Sequence, residues 1–261
     1  MSAKGRTCFI VGAGSFNGMS VYPSKGDMII AADGGYAYLN TLGIEPHVLL
    51  GDFDSLEIVP QHRHLIRHSP IKDDTDMALA AAYAKEQGYR RFILYGGLGG
   101  KRLDHTIANL QLITGMSREG LEVYLIGEGT IATMITGGLK TLTDADSPEK
   151  SADAFVDQSQ KCAAETEQIG GVEITFDASA RGMISVFCMG APAKGVWERG
   201  LKYSLSDAVL TDDKTLGVSN EFIGCESSIS VESGTLLVMW DEKNGLPMKR
   251  ITRSSEQTVR V

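Results

Sequence analysis

Between residue 7 and about residue 127, short apolar runs alternate with stretches whose apolar residues recur at helical spacing. The runs Thr7–Val11, Met28–Ala32, 48–50 and Arg91–Tyr95 are almost uninterrupted in their hydrophobicity, the pattern of strands buried on both faces. Between them the spacing predicts a helix over 36–42, closed by Gly43. A second is predicted over 76–87, with Thr75 as N-cap and Gly88 as stop, and a third over 104–114, with Asp104 as N-cap and Gly115 after it. Strand, loop and helix in repetition imply a parallel, doubly wound α/β sheet.

After residue 137 the pattern changes. Residues 144–170 are polar, acidic and alanine-rich with almost no apolar periodicity, which reads as a long loop or insertion. Short strand-like runs follow at Val172–Phe176, 183–189, 201–205, 229–231 and 236–240, separated by turn residues with no helical pattern between them. That favours an antiparallel β-sandwich. The expected organisation is an α/β domain over 1–137, an all-β domain over 138–241 interrupted by 144–170, and a polar tail over 242–261.

Composition narrows the partners. With 25 basic against 33 acidic residues the chain carries a net charge of -8, which opposes nucleic acid and anionic membrane surfaces. A 43% hydrophobic content is ample for a core. Cys8, Cys162, Cys188 and Cys225 are scattered without a Cys-x-x-Cys pair, no apolar run approaches the ~20 residues of a membrane span, and residues 1–6 lack the apolar segment of a signal peptide. The expectation is a soluble, cytoplasmic protein.

Carboxylates and glycines gather behind the apolar runs: Asp33-Gly34-Gly35, Gly51-Asp52-Phe53-Asp54-Ser55, Asp73-Asp74-Thr75-Asp76, and the loop from Gly96 to His105. In an open parallel sheet the carboxyl ends of the strands form the ligand-binding rim. So many acids on one rim repel one another unless a cation sits among them, and Mg²⁺ carried with a phosphate ligand is the usual answer. Asp52 and Asp54, at alternate positions leaving a strand, can face one side and share such an ion, although an isolated Asp-x-Asp is often only a turn. Asp76 opens a helix, where the dipole favours its ionised form. A capping role suffices for one of Asp73, Asp74 and Asp76 but not for all three. The glycines at 96, 97, 99 and 100 let backbone amides approach a phosphate, with Lys101 and Arg102 supplying positive charge, while Asp104 is adequate as a helix cap. Gly12-Ala13-Gly14-Ser15-Phe16-Asn17-Gly18 has Asn17 in place of the third glycine of a dinucleotide fingerprint, so a plain chain-reversing turn explains it equally well. His105 and Tyr95 read as structural residues. Neither a Ser/His/Asp arrangement nor zinc spacing is legible.

Taken in order and spacing, these motifs resemble the thiamin pyrophosphokinase family. Ala32-Asp33-Gly34-Gly35, Gly51 to Ser55, Asp73-x-Thr75-Asp76 and the glycine loop carry the likeness in the first half. In the second half it rests on Gly200-Leu201-Lys202-Tyr203-Ser204-Leu205, Gly217-Val218-Ser219-Asn220-Glu221 and Gly234 to Val238. The resemblance implies transfer of a diphosphate from ATP to thiamin, giving thiamin diphosphate and AMP, by a homodimer whose thiamin site lies at the subunit interface. It implies that Asp52, Asp54 and Asp76 hold Mg²⁺ and the phosphates with Asp73 nearby. Asp33, Gly34, Gly35, Gly97, Gly99, Gly100, Lys101, Arg102 and Asp104 would belong to the ATP side. Asp76, Tyr203, Ser219 and Asn220 would meet thiamin, with Tyr203 stacking on its pyrimidine ring. Lys101 lengthens the glycine loop by one residue, so either Lys101 or Arg102 takes the family arginine's place. Asp76 and Asp73 both stand as general-base candidates. A haloacid-dehalogenase-type phosphatase and a nucleotide- or carbohydrate-binding module are the rival readings; the first would place its Asp-x-Asp directly after the first strand, which this chain does not.

Overall fold

The structure, a computed structural model, describes residues 5–52, 62–68, 74–139 and 170–251. The first half runs β1 (Thr7–Val11), β2 (Met28–Ala32), α1 (Gly35–Thr41), β3 (Val48–Gly51), β4 (Leu65–Arg67), α2 (Asp76–Glu86), β5 (Arg91–Tyr95), α3 (Leu103–Arg118), β6 (Glu122–Gly127) and β7 (Thr130–Gly137). The second contributes β8 (Val172–Phe176), β9 (Met183–Cys188), β10 (Ala193–Arg199), β11 (Leu205–Leu210), β12 (Asn220–Glu221), β13 (Ser227–Val231), β14 (Gly234–Asp241) and β15 (Met248–Ile251).

Strands β4, β3, β2, β1, β5 and β6 lie side by side and parallel, with helices on both faces. Side chains of a strand alternate between faces. Phe9 and Val11 therefore pack with Leu39 of α1, while Cys8 and Ile10 pack with Met77 and Ala80 of α2 and Ile113 of α3. This is the doubly wound arrangement that the apolar runs predict.

The sheet does not stop at β6. β7 turns back antiparallel to it, β14 pairs with β7 along its whole length, and β9 and β12 continue beyond, giving a single ten-stranded sheet. A separate antiparallel sheet in the order β11-β10-β13-β8-β15 covers one face of this extension. Phe176 of β8 meets Trp240 of β14 edge-on at 5.1 Å, and Phe222 at 5.1 Å as well. The second half is thus the antiparallel sandwich expected, and one of its two sheets is the continuation of the α/β sheet. The division suggested at residue 137 falls between β7 and the β14 strand that pairs with it.

Three local expectations are corrected. Asp104 is not an N-cap: Arg102 occupies that position and Asp104 sits in the first turn. Helix α3 runs through Gly115 to Arg118, because burial of Ile113, Met116 and Ser117 outweighs a glycine penalty of about 1 kcal/mol. No single strand spans 201–205: Leu201 forms an isolated bridge with Phe222, and Leu205 already opens β11, paired with Glu198 of β10. Within the tail, Met248–Ile251 adds an edge strand to the second sheet. Among the described residues no helix is long and apolar enough to cross a membrane.

Because the two halves share the ten-stranded sheet and a core cluster, Phe176→Ala should lower stability by about 3–5 kcal/mol and shift one calorimetric transition. A second half that melts first, leaving the α/β half folded, would contradict this coupling.

Candidate functional site

From β1 the chain builds β2, β3 and β4 to one side, then crosses back to β5 and β6 on the other. The carboxyl ends of β1 and β5 therefore diverge at a topological switch point, where open α/β sheets hold ligands. A cleft of ≈ 620 Å³ lies there, within the usual range for a small-molecule site.

Two glycine loops build its floor. The Gly12 amide donates to the Tyr95 carbonyl at 2.8 Å and the Gly14 amide to the Gly96 carbonyl at 3.0 Å, sewing the loop after β1 to the loop after β5. Gly96 has φ +70°, and a Cβ there would run into the Gly12 backbone. Only glycine fits both constraints. Beyond it, Thr106 of α3 holds Gly99: its Oγ1 accepts from the Gly99 amide at 3.1 Å and lies 3.3 Å from the Gly99 carbonyl. Asn109, buried, donates from Nδ2 to the Gly97 carbonyl at 2.9 Å. Two helices begin at the cleft: Asp76 and Met77 of α2 line it, as do His105 and Asn109 of α3, with Lys101 and Arg102 just ahead. Helix N-termini and cations together make such a place suited to anions. The Thr75 hydroxyl caps α2 by accepting from the Ala78 amide at 3.2 Å, as predicted.

Asp33 follows β2 in a left-handed conformation, φ 48°, and lines the same cleft with Asp76. Gly35 follows so close to the Val11 carbonyl that no Cβ could be placed. Asp52 follows β3 and is half-buried, whereas Asp54 and Asp73 lie outside the described residues. Arg102 grips Asp104 through Nε at 2.9 Å and Nη2 at 2.6 Å, and these hydrogen bonds hold the exposed Asp104 carboxyl down at about 2.

The second group of predicted residues sits elsewhere. Ser219 is left-handed, φ 61°, and its amide donates to Ser185 Oγ at 3.0 Å. Asn220 is buried. Its Oδ1 accepts from the amides of Tyr203 and Glu221, both at 2.9 Å, and its Nδ2 donates to the Tyr203 carbonyl at 2.6 Å and to Glu198 Oε2 at 2.8 Å. Tyr203 is 60% exposed, with Lys202 Nζ 5.5 Å from its ring centre. Strand register places both groups on one rim: Val11, Tyr95, Ile126, Ile131, Trp240, Ile184 and Asn220 are successive cross-strand partners. Five strand spacings separate Tyr95 from Asn220, roughly 24 Å along the sheet.

The sequence left Tyr38, Thr106, Asn109 and Glu198 without an assigned role, and left Gly12 and Gly14 open between a turn and a nucleotide contact. For Thr106 and Asn109 the available signal is their i, i+3 spacing in register with the buried Ile113 and Met116, since polar residues on a helix's inward face need a partner. His105, read as structural, also lines the cleft.

A family model described as the catalytic domain of thiamin pyrophosphokinase matches residues 20–125, and one described as its vitamin B1 binding domain matches residues 171–236. Thiamine pyrophosphokinase of Bacillus subtilis (strain 168) is 25% identical over 244 residues, covering 90% of this chain and 98% of that protein. The crystal structure of the Bacillus subtilis enzyme superposes with a TM-score of 0.69 at 23% identity, covering 90% of this chain and 99% of that one. A thiamin pyrophosphokinase from Geobacillus thermodenitrificans follows at 0.67 and 22%, covering 92% and 99%.

Burial raises the Glu198 carboxyl from 4.5 to about 7, against a smaller opposing pull from Asn220. Below about 4.5 the group is protonated folded and unfolded alike. As pH rises, the unfolded chain releases its proton first, so stability is lost progressively until about 7. Glu198→Gln should remove a loss on the order of 3 kcal/mol between pH 4 and pH 8, read from urea midpoints. Parallel profiles for the two proteins would show that Glu198 does not titrate in this range.

Proposed function

The chain belongs to the thiamin pyrophosphokinase family, and from that premise we propose how its cleft transfers the diphosphate of ATP to thiamin. The observation that carries the reading is the meeting of two glycine loops, two helix N-termini, Lys101 and Arg102 with Asp33 and Asp76 at the switch point of the sheet. Such a site gathers the donors that a polyphosphate needs and the carboxylates that its counter-cation needs.

In this reading ATP lies with its phosphates over Gly97, Gly99 and Gly100, and Asp33-Gly34-Gly35 lines the nucleotide side. Lys101 and Arg102 neutralise phosphate oxygens. Arg102 does so by leaving Asp104, an exchange of one exposed partner for another with little net loss. Thr106 and Asn109 keep the loop's carbonyls turned inward to α3, so that they do not face the phosphates.

Asp52, Asp54 and Asp76 would hold Mg²⁺. Among the described residues no three His, Cys, Asp or Glu side chains gather as a metal cluster. Mg²⁺ is typically held by one or two carboxylates together with substrate phosphates, and an all-oxygen donor set suits it, so these residues fit. When bound, the ion spreads the negative charge that builds on the transferred group.

Thiamin's hydroxyl oxygen forms a bond to the β-phosphorus while the bond from that phosphorus to the AMP oxygen breaks. The hydroxyl proton passes to a carboxylate, Asp76 or Asp73. Alignment and charge neutralisation supply most of the rate, with no covalent intermediate required. Tyr203 offers an exposed ring for thiamin's pyrimidine, a contact worth roughly 0.5–1.5 kcal/mol beyond area burial. Ser219 and Asn220 stand beside it. The separation of this group from Tyr95 along one rim supports a homodimer in which the cleft of one chain faces Tyr203 of the other. Among the described residues Cys8, Cys188 and Cys225 are free thiols, which fits a cytoplasmic location.

Incubation with ATP, Mg²⁺ and thiamin should yield thiamin diphosphate and AMP in equal amounts by mass spectrometry; ADP or free phosphate as the main product would reject the reading. Asp52→Asn and Asp54→Asn should each reduce turnover by at least ~10²-fold with the fold intact by circular dichroism, since an amide is a poor Mg²⁺ ligand. Near-normal turnover in the double variant would remove both residues from the site.

Subunit sharing is tested by mixing Asp54→Asn with Tyr203→Ala. If each site draws on both chains, a mixed dimer holds one intact site and recovers about half of normal activity. Verified subunit exchange without recovery would mean that each chain builds its own site.

A further inference from the structure

Glu198 is an anomaly of placement. Along β10, Val196 and Glu198 both take buried positions of the alternating pattern, and Glu198 is 0% exposed. Its Oε2 accepts from Asn220, but among the described residues its Oε1 has no hydrogen-bond partner. A buried carboxyl with one unsatisfied oxygen destabilises the fold, and an apolar side chain of similar size would serve the sandwich better. Something other than stability accounts for it.

What Glu198 touches is the segment carrying Ser219 and Asn220. At the start of that segment, a Cβ on Gly217 would come within 3.2 Å of Glu198 Oε1. At its end, Asn220 Nδ2 donates to Glu198 Oε2. Asn220 has two amide hydrogens and two lone pairs, and all four are engaged: one hydrogen on Glu198, one on the Tyr203 carbonyl, and the lone pairs on the amides of Tyr203 and Glu221. Rotating the amide by half a turn would set its oxygen against the Glu198 carboxyl and the Tyr203 carbonyl, and its hydrogens against two N–H groups. Glu198, reaching from the second sheet to the edge strand of the first, blocks that rotation.

We infer that Glu198 is a positioning residue: it locks the Asn220 amide, and through it the backbone of Tyr203, so that the Tyr203 ring and Ser219 are presented together at the proposed thiamin end. The inference rests on the functional reading above, but the lock itself is observable without turnover. Asn220, on this account, acts from behind the surface that Tyr203 forms.

The test compares Glu198→Leu and Glu198→Gln with the unaltered full-length protein. Amide hydrogen exchange at Tyr203 and Glu221 reports the lock directly. Leu should raise exchange at both amides at least about ten-fold, whereas Gln, whose side-chain oxygen still accepts from Asn220, should keep it within about three-fold. With ATP and thiamin, Leu should raise the thiamin KM about ten-fold and leave the ATP KM unchanged, and Gln should rescue it. At neutral pH the Leu protein should melt no lower than the unaltered one. Unchanged exchange and thiamin KM in the Leu protein would overturn the lock, as would equal rises in both KM values with a lowered melting temperature, the mark of a merely structural role. If the unaltered protein makes no thiamin diphosphate, the functional reading fails by itself while the exchange result still decides the lock.

Discussion

One row of cross-strand partners, from Leu65 of β4 through Leu49, Ala31, Val11, Tyr95, Ile126, Ile131, Trp240 and Ile184 to Asn220, organises this molecule. It crosses from the parallel to the antiparallel half at β6 and β7 without losing a strand. Backbone hydrogen bonds are the obligatory partners of buried amides and carbonyls, so neither half can close its core while leaving β7 or β14 unpaired. The apolar residues on one side of the row belong to a single cluster that holds Val11 and Tyr95 together with Trp240 and Ile184. The chemistry-bearing loops after β1 and β5, midway along this row, and those at its β12 end inherit a fixed spacing from the sheet rather than from their own sequence.

At the switch point a steric constraint takes over. The two loops approach so closely that Gly14 and Gly96 share a backbone hydrogen bond, and a side chain on Gly14 or Gly96 would run into the partner loop's peptide, while one on Gly12 would meet the Met77 side chain. That closeness brings the loop after β1 into the cleft, although Gly12 to Gly18 departs from a dinucleotide fingerprint at Asn17. Its glycines serve the meeting of two loops, and the phosphate-facing role falls to the loop after β5, where Thr106 and Asn109 fix the carbonyls from behind.

How far the sequence could foretell this follows from the range of the forces involved. Buried parallel strands announce themselves in runs such as Phe9 to Val11 and Phe92 to Leu94, because burial on both faces leaves no room for polar residues. Thr75 announces a helix start for an equally local reason. The end of α3 is not local: Gly115 reads as a stop, yet Met116 and Ser117 are held in the helix by packing against the sheet. Strand β10 escaped notice because Glu198 stands at an inward position where the period-2 pattern demands an apolar residue. The meeting of Asp33 and Asp76 with the glycine loop after β5 on one rim was legible from order alone. Which strands the rim comprises was not, since the pairing of β7 with β14 joins residues about a hundred positions apart.

The misfit of Glu198 with its pattern carries the same information as its chemistry. A sequence that obeys every local rule except at one inward position points to that position, because natural chains keep such a conflict where a function compensates for it. Here the conflict has a direction. The carboxyl is held by Asn220 on one oxygen and left unpartnered on the other, so replacing it should favour the fold and disfavour the surface that Tyr203 presents. Stability and binding would then respond with opposite signs to one side chain, which a residue serving only to pack the sandwich cannot produce.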